Sequence, residues 1–312
     1  MNKLSVSSSP HIRSSASTKR IMLDVIIALM PALIAGIVIF GWRALAVVAT
    51  CVASAVISEF LFNIIAKRTQ TIDDLSAALT GLLLGLNLHA GAPIWQCVIG
   101  SVFAIIVVKC LFGGLGCNFA NPAITARIFL LICFAGTLGG GAVPKLSASP
   151  ELVSGATPLS VLKNGGELPE LWEMLLGLHG GAIGETCSAA LIVGFIYLVL
   201  RGVIKFETPL ILVATVFVLS LIVENDATVA LYQMLSGGLL LGAIFMATDY
   251  VTTPITRSGR MIFAFGCGVI TFLIRYFGNY PEGLSFAILF MNILSPYIES
   301  WTKKAALGGV RA

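Results

Sequence analysis

The stretch Ser154-Gly155-Ala156-Thr157-Pro158-Leu159-Ser160 is a short polar island at the centre of a very hydrophobic chain. It lies within residues 139–180, the longest segment unsuited to a membrane interior, with five hydrophobic segments on each side. Thr157 followed by proline predicts the start of a helix, because threonine caps helix N-termini and proline is favoured at the first helical position. The small residues before the threonine leave its hydroxyl open to a large partner, and an anion attached there would meet the positive end of the helix. The stretch therefore divides the chain into two halves and offers an attachment point between them.

The composition points to a membrane protein. Charged side chains make up only 11% of the 312 residues and hydrophobic side chains make up 57%, whereas a soluble globular protein has about 25% charged residues. A helix needs about 20 mostly apolar residues to cross a bilayer. The hydrophobic segments are residues 20–40, 44–66, 75–90, 93–112, 123–138, 182–200, 208–224, 229–247, 261–277 and 283–298. We therefore predict an all-α polytopic membrane protein with about ten transmembrane helices.

Basic residues predict the orientation of these segments, because cytoplasmic loops are enriched in Lys and Arg. With the N-terminus inside, thirteen of the 19 basic residues fall on the inner side and three fall outside. We therefore predict a multi-pass protein of the cell (cytoplasmic) membrane with cytoplasmic termini and an extracytoplasmic Thr157 loop. The predicted parts are a cytoplasmic tail, a first five-helix repeat, the extracytoplasmic loop, a second five-helix repeat and a second cytoplasmic tail, at residues 1–19, 20–138, 139–180, 181–298 and 299–312.

The two halves carry a faint internal echo. Gly81-Leu82-Leu83-Leu84-Gly85 in the third segment matches Gly238-Leu239-Leu240-Leu241-Gly242 in the eighth, at equivalent positions of the two halves. Because each half has an odd number of predicted spans, the halves have opposite orientations in the membrane. Inverted repeats with polar sites at their interface are a common plan for transport proteins. We therefore predict two inverted five-helix repeats.

Two further stretches stand out beside the Ser-Gly-Ala-Thr run that ends at Thr157. One, before the fifth segment, is Phe112-Gly113-Gly114-Leu115-Gly116-Cys117-Asn118-Phe119-Ala120-Asn121-Pro122-Ala123, with Arg127. The other, after the eighth segment, is Ala247-Thr248-Asp249-Tyr250-Val251-Thr252-Thr253-Pro254. In this order, the three motifs resemble the flavin attachment motif, the segment before the fifth helix and the segment after the eighth helix of the NqrB/RnfD family. Members of that family are membrane subunits of the Na⁺-translocating quinone reductase and of the Rnf complex. The resemblance spans about residues 20–300, and the absence of a long N-terminal extension makes the RnfD type the closer fit.

The resemblance implies a redox function. A flavin transferase would esterify the phosphate of FMN to Thr157, with Ser154, Gly155, Ala156 and Pro158 forming the recognised motif. Arg275, near the outer end of the ninth segment, is a candidate partner for the flavin phosphate. A second, noncovalent flavin such as riboflavin would lie between the helices.

The family also implies partners and an activity. The chain would be one subunit of a ferredoxin:NAD oxidoreductase that moves Na⁺ or H⁺ and is inactive alone. Its partners would be the other Rnf subunits, including a second flavin-bearing subunit and iron–sulfur subunits, together with the flavin transferase and the lipid bilayer. Neither a nucleic acid partner, nor a catalytic side chain, nor a metal site is expected in this chain.

Ionisable residues in apolar segments are costly and usually functional or paired. The candidates for ion coupling are Asp24, Glu59 and Asp249. Lys109 and Arg127 are expected to extend their charged ends to the inner membrane surface, and His89 and His179 are expected to be solvated. Asn121 and Pro122 either cap the fifth helix or share a helical face with Asn118.

The seven cysteines form no Cys-x-x-Cys pair, so no disulfide framework is expected. Six of them, all except Cys117, are expected to be small buried hydrophobic residues. Two other functions remain open from the residues alone. One is a solute channel or transporter with the inverted ten-helix plan and no redox activity, and the other is a structural scaffold for partner subunits. Covalent flavin would distinguish the redox function from both.

Overall fold

The first half of the chain forms five apolar helices. In a computed structural model, the described residues are 17–138, 141–142, 154–155, 157–164, 168–278 and 282–303, so most of both predicted tails lies outside them. The helices are α1 (Thr18–Phe40), α2 (Trp42–Ile65), α3 (Ser76–Leu86), α4 (Ile94–Val102) and α5 (Pro122–Cys133). A 3₁₀ turn, Ile72–Asp74, precedes α3, and α4 continues as a π-helical segment, Phe103–Cys110.

The central segment contains short elements. They are α6 (Ala135–Leu138), β1 (Gly141–Ala142), β2 (Ser154–Gly155), α7 (Pro158–Asn164) and α8 (Leu171–Leu176). β1 and β2 are antiparallel, with Gly141 opposite Gly155. This strand pair is the only sheet among the described residues. The predicted extracytoplasmic loop is therefore partly structured rather than a plain connection.

The second half repeats the helical character of the first. Its helices are α9 (Ser188–Leu200), α10 (Glu207–Glu224), α11 (Ala227–Leu235), α12 (Leu239–Leu241), α13 (Arg257–Phe277) and α14 (Leu284–Thr302). A second π-helical segment, Gly242–Met246, continues α12. α14 extends to Thr302, beyond residue 298, and the predicted division into two repeats, a loop and two tails stays a prediction.

Local sequence explains where several helices begin. The side chain of Asn121 accepts hydrogen bonds from the N–H groups of Ala123 and Ile124, at 3.1 and 3.4 Å, and Pro122 is the first residue of α5. Asn121 therefore caps α5, which decides between the two structures expected for this segment. The side chain of Thr256 caps α13 in the same way, accepting from the N–H of Gly259 at 3.1 Å.

The all-α, polytopic prediction is confirmed. Four helices have the length and hydropathy of membrane spans, namely α1, α2, α10 and α13, and a fifth span is formed if α11 and the bent continuation Leu239–Met246 count together. Four shorter apolar helices are Ser76–Leu86, Ile94–Cys110, Pro122–Cys133 and Ser188–Leu200. The total of ten spans and the inverted symmetry stay predictions.

The internal echo differs in local structure between the halves. Gly81 and Gly85 lie within the continuous helix α3, whereas Gly238 lies at the break between α11 and α12 with a φ of +66°. Buried side chains of both halves nevertheless form one continuous hydrophobic core. Its members include Leu29, Leu84, Ile124, Leu191, Leu241 and Ile288.

Candidate functional site

Thr157 stands directly before the first residue of α7. Its carbonyl oxygen accepts a hydrogen bond from the N–H of Val161 at 2.9 Å, and the Ser160 hydroxyl donates to the same carbonyl at 2.7 Å. The Thr157 hydroxyl oxygen has longer contacts, 3.4 Å to both the N–H and the hydroxyl oxygen of Ser160. The residue is half-buried, while Pro158 and Leu159 beside it are buried. The predicted helix start is therefore confirmed, and the threonine hydroxyl is only loosely engaged.

The rest of the attachment motif precedes this helix start. Ser154 and Gly155 form β2, which pairs with β1 and ties the motif to the start of the central segment. Ala156 lies outside the described residues. The motif thus connects a strand pair to a helix within a few residues.

Helix α7 is seated on the second half of the chain. The side chain of Leu159 packs directly over Gly237, in the break between α11 and α12. The ammonium group of Lys163 donates to the carbonyl oxygen of Gly278, just after α13. These two contacts fix the helix that begins at Thr157 against the membrane helices.

Arg275 hydrogen-bonds to residues at the same break between α11 and α12. Its guanidinium donates to the carbonyl oxygen and the side-chain oxygen of Gln233, the latter at 3.1 Å, and to the carbonyl oxygen of Ser236 at 2.9 Å. A further contact reaches the carbonyl oxygen of Gly237 at 3.5 Å. The side chain is buried, and its Nε has no partner among the described residues. Arg275 thus holds carbonyl groups that the broken helix leaves free, and its predicted contact with a flavin phosphate stays a prediction.

A cavity lies between the two halves at the ends of α1, α3 and α5. Its polar lining includes Ser76, Lys109, Asn118, Asn121, Thr248 and Asp249, and its apolar lining includes Val25, Leu79, Leu198 and Phe245. The side-chain oxygen of Asn118 is buried without a hydrogen-bond partner among the described residues. Both π-helical segments contribute to the wall, through Lys109 and through Ile244 and Phe245, and such segments often occur at functional sites.

Glu59 and Lys109 form a buried ion pair beside this cavity. The Lys109 ammonium nitrogen is 2.9 Å from Oε1 of Glu59 and 2.6 Å from the hydroxyl oxygen of Ser76. Thr71 also donates to Oε1 of Glu59, at 2.7 Å, while Oε2 has no partner in the part of the chain that the structure describes. The expectation that Lys109 extends to the membrane surface is wrong, because its charge is neutralised inside the protein.

The other two candidates for ion coupling differ from Glu59. Asp24, buried in α1, accepts hydrogen bonds from Tyr197 at 3.1 Å and from Arg201 at 3.0 Å, so it joins α1 to the end of α9. Asp249 follows the second π-helical segment and accepts from the N–H of Val251 and the hydroxyl of Thr252, each at 3.2 Å. Burial raises the pKa of Asp249 above its ordinary value. Only Asp249 of this pair lines the cavity.

A second charged cluster lies beside the break between α11 and α12 that α7 contacts. Arg127 donates from Nη1 to the side-chain oxygen of Asn87 at 2.8 Å and from Nη2 to Glu282. Oε2 of Glu185 lies 3.9 Å from the same Nη2. The prediction that Arg127 reaches the membrane surface is therefore wrong, since it is buried and paired. Sequence reasoning missed Glu185, although a lone carboxylate after the apolar run Gly180-Gly181-Ala182-Ile183-Gly184 was a signal.

Histidine and cysteine placement corrects other expectations. His179 is buried, not solvated, and desolvation lowers its pKa. His89 is half-buried and contacts the carbonyl oxygen of Thr137 at 2.9 Å. All seven cysteines are free, but Cys133 is exposed and Cys187 is only half-buried. No group of three or more His, Cys, Asp or Glu side chains within the described residues could hold a metal ion.

Comparisons with known proteins find relatives that match nearly the whole chain. The model of the NQR2, RnfD, RnfE family matches residues 5–308. The D subunit of the Na(+)-translocating ferredoxin:NAD(+) oxidoreductase complex of Acetobacterium woodii is 47% identical over 309 residues, covering 98% of this chain and 95% of that protein. The D subunit of the proton-translocating ferredoxin:NAD(+) oxidoreductase complex of Clostridium ljungdahlii is 38% identical over 322 residues, covering 98% and 97%. The D subunit of the ion-translocating oxidoreductase complex of Escherichia coli is 33% identical over 344 residues, covering 97% and 98%.

Proposed function

This chain belongs to the NQR2, RnfD, RnfE family, and on that premise we propose that it is the RnfD-type membrane subunit of an ion-translocating ferredoxin:NAD oxidoreductase complex, with covalent FMN on Thr157. Support for the complex comes from relatives that match nearly its whole length and are named as subunits of such complexes. The chain would act as part of that complex and not as an enzyme by itself.

The single observation that carries the flavin proposal is the position of Thr157. Its hydroxyl oxygen has contacts no shorter than 3.4 Å among the described residues, so forming a phosphoester there would break no strong hydrogen bond. The helix that follows it is fixed to the second half through Leu159 and Lys163. A flavin supplies one- and two-electron redox chemistry, and the protein positions it and adjusts its electronic environment. In this proposal α7 gives the attached flavin a fixed place against the membrane helices.

We also propose that the cavity between the halves takes a second, noncovalent flavin such as riboflavin. The side-chain oxygen of Asn118 is buried there with no partner among the residues described, and a ligand N–H group would satisfy it. Val25 and Phe245 provide apolar surface, and Lys109 and Asp249 provide charge nearby. The residues would bind and orient the ring system and exclude water from it.

Ion coupling is proposed for the acidic residues beside the same cavity. Relatives of this chain are named for Na⁺ in one case and for protons in another, so the similarity supports coupling without selecting the ion. Asp249 lines the cavity, and Oε2 of Glu59 is buried without a partner within the described residues. Asp24 remains a third candidate, although its carboxylate is already paired with Arg201.

The membrane orientation and the partners that we propose follow from membership of such a complex. We propose that the chain spans the cytoplasmic membrane with both termini inside and the Thr157 loop outside. Its partners would be the other Rnf subunits, including one that carries a second flavin and those that carry iron–sulfur clusters, together with a flavin transferase that modifies Thr157.

In-gel fluorescence of the denatured chain tests the flavin proposal. The chain is produced together with a flavin transferase, separated by denaturing electrophoresis and illuminated before staining. We expect a fluorescent band for the wild type and for Ser160→Ala, a matched control that removes the neighbouring hydroxyl, and no fluorescence for Thr157→Ala. A non-fluorescent wild type would favour a transporter or a scaffold without redox activity, and solute flux through the isolated chain would identify the transporter.

A further inference from the structure

Two carboxylates converge on one arginine where the two halves of the chain meet. Arg127 comes from α5 in the first half, Glu185 from the loop before α9, and Glu282 from the residues just before α14. Glu282 contacts Nη2 of Arg127 closely, while Glu185 lies 3.9 Å from the same nitrogen, beyond hydrogen-bond distance. One arginine therefore neutralises Glu282 well and Glu185 only partly.

The two oxygens of Glu185 have different roles. Oε1 accepts a hydrogen bond from the N–H of Ala182 at 2.9 Å, so it must stay an acceptor. Oε2 is buried and has no hydrogen-bond partner among the described residues. An ionised carboxylate with an unsatisfied buried oxygen is costly, and binding a proton lowers that cost because it removes the charge. The geometry therefore selects Oε2 as the atom that would carry a proton.

The break between α11 and α12 provides the space that the carboxylate of Glu185 occupies. Gly238 has a φ of +66°, and a Cβ atom there would be only 2.8 Å from Oε2 of Glu185 and 3.4 Å from Nη1 of Arg127. The preceding residue, Gly237, faces Glu282 and Leu159 of α7. The charged cluster therefore lies at the same break, between α11 and α12, that the helix starting at Thr157 contacts.

We propose that Glu185 is an exchangeable proton-binding site between the two halves, which takes up one proton on Oε2 and releases it to water. No electrons move in this step: an O–H bond forms at Oε2 and the negative charge of the carboxylate is lost. When Glu185 is ionised, Arg127 is shared by two carboxylates. When it is protonated, Arg127 pairs with Glu282 alone. This site lies outside the acidic residues proposed for ion coupling and does not require a bound flavin.

The charges around Glu185 come from several elements. Arg127 faces it from α5, Arg275 from α13 and Glu282 from the segment before α14. The residue that follows α3, Asn87, is uncharged and binds Arg127. Burial and the negative charge of Glu282 favour the neutral form of Glu185, whereas the two arginines favour its ionised form. Because these influences oppose one another, small changes in the surroundings of the carboxyl group alter its charge.

Infrared difference spectroscopy of the full-length chain in lipid vesicles tests this site. Spectra are recorded over a series of pH values from acidic to alkaline, and the carbonyl band of a protonated carboxyl group is followed. We expect a band that disappears as the pH rises in the wild type and is missing in Glu185→Gln. Glu170→Gln is the matched control, because Glu170 is an exposed carboxylate, and it should leave the band unchanged.

A second variant tests the proposal without altering the site itself. Glu282→Gln removes the neighbouring negative charge and leaves Arg127 to Glu185, so the midpoint of the band should move down by about one pH unit or more. This expectation holds even if Glu185→Gln fails to fold. A wild type with no titrating carboxyl band would overturn the proposal, and so would a band that persists in folded Glu185→Gln or keeps its midpoint in Glu282→Gln.

Discussion

The ammonium nitrogen of Lys109 lies 2.9 Å from Oε1 of Glu59, and each side chain is only 2% exposed. Removing one partner of a buried ion pair leaves an uncompensated charge and costs about 3–5 kcal/mol. We therefore expect Lys109→Met to lower the midpoint of thermal unfolding in detergent strongly. The double variant Lys109→Met with Glu59→Gln should recover part of that loss, because neither remaining group is charged. A single variant as stable as the wild type would show that the pair is not formed.

The contact between α7 and Gly237 gives a second prediction. Gly237 has a φ of +69°, and a Cβ atom there would collide with the side chain of Leu159. Gly237→Ala should therefore displace α7 and lower the yield of covalent flavin per chain, measured as the ratio of flavin fluorescence to protein. Gly202 is a matched control, because its φ is +68° but no described atom lies within 4 Å of its would-be Cβ. Equal flavin yields in Gly237→Ala and Gly202→Ala would show that the contact between α7 and Gly237 does not position the flavin.

The membrane orientation gives a third prediction. The excess of basic residues on one side predicts that the loop of residues 139–180 is outside the cell and that both termini are inside. A protease added to intact cells should cut within that loop and leave a C-terminal tag protected. Cutting of the tag in intact cells, with the loop protected, would show the opposite orientation.

Ion coupling gives a fourth prediction. Asp249→Asn removes a charge beside the cavity and keeps the size of the side chain. Glu59→Gln is combined with Lys109→Met, because Lys109 would otherwise be left as an unpaired buried charge. In both cases the assembled complex should still transfer electrons but move fewer ions per electron. Asp24→Asn breaks the contact with Arg201 and should affect stability more than coupling if that pair is only structural. The measurement is ion uptake by vesicles relative to NAD reduction. Normal ratios in all three variants would remove these residues from the ion path.

Local sequence predicted much of the fold. Hydrophobic segments located the long helices, because a spanning helix requires a continuous apolar run. The pairs Thr157-Pro158 and Asn121-Pro122 located helix starts, because capping depends on neighbouring residues. These signals act over a few residues and need no knowledge of tertiary structure.

The charged clusters could not be predicted in the same way. Arg127 and Glu282 are 155 residues apart in the chain, and Lys109 and Glu59 are 50 apart. No local pattern specifies such partners, so a buried arginine and one that reaches the membrane surface look alike in sequence. The helix break beneath α7 was also hidden, because Gly238-Leu239-Leu240-Leu241-Gly242 resembles the continuous helical run at Gly81.

Mass spectrometry of the peptide that contains Thr157 tests the central claim most directly. The chain is produced with its flavin transferase, digested and fragmented so that each hydroxyl of Ser154, Thr157 and Ser160 is distinguished. We predict the mass of an FMN phosphoester on Thr157 alone, lost in Thr157→Ala while the variant keeps its fold, since losing a cap costs only about 1 kcal/mol. An unmodified peptide from the flavinylated complex, or covalent flavin retained by Thr157→Ala, would contradict the proposed function.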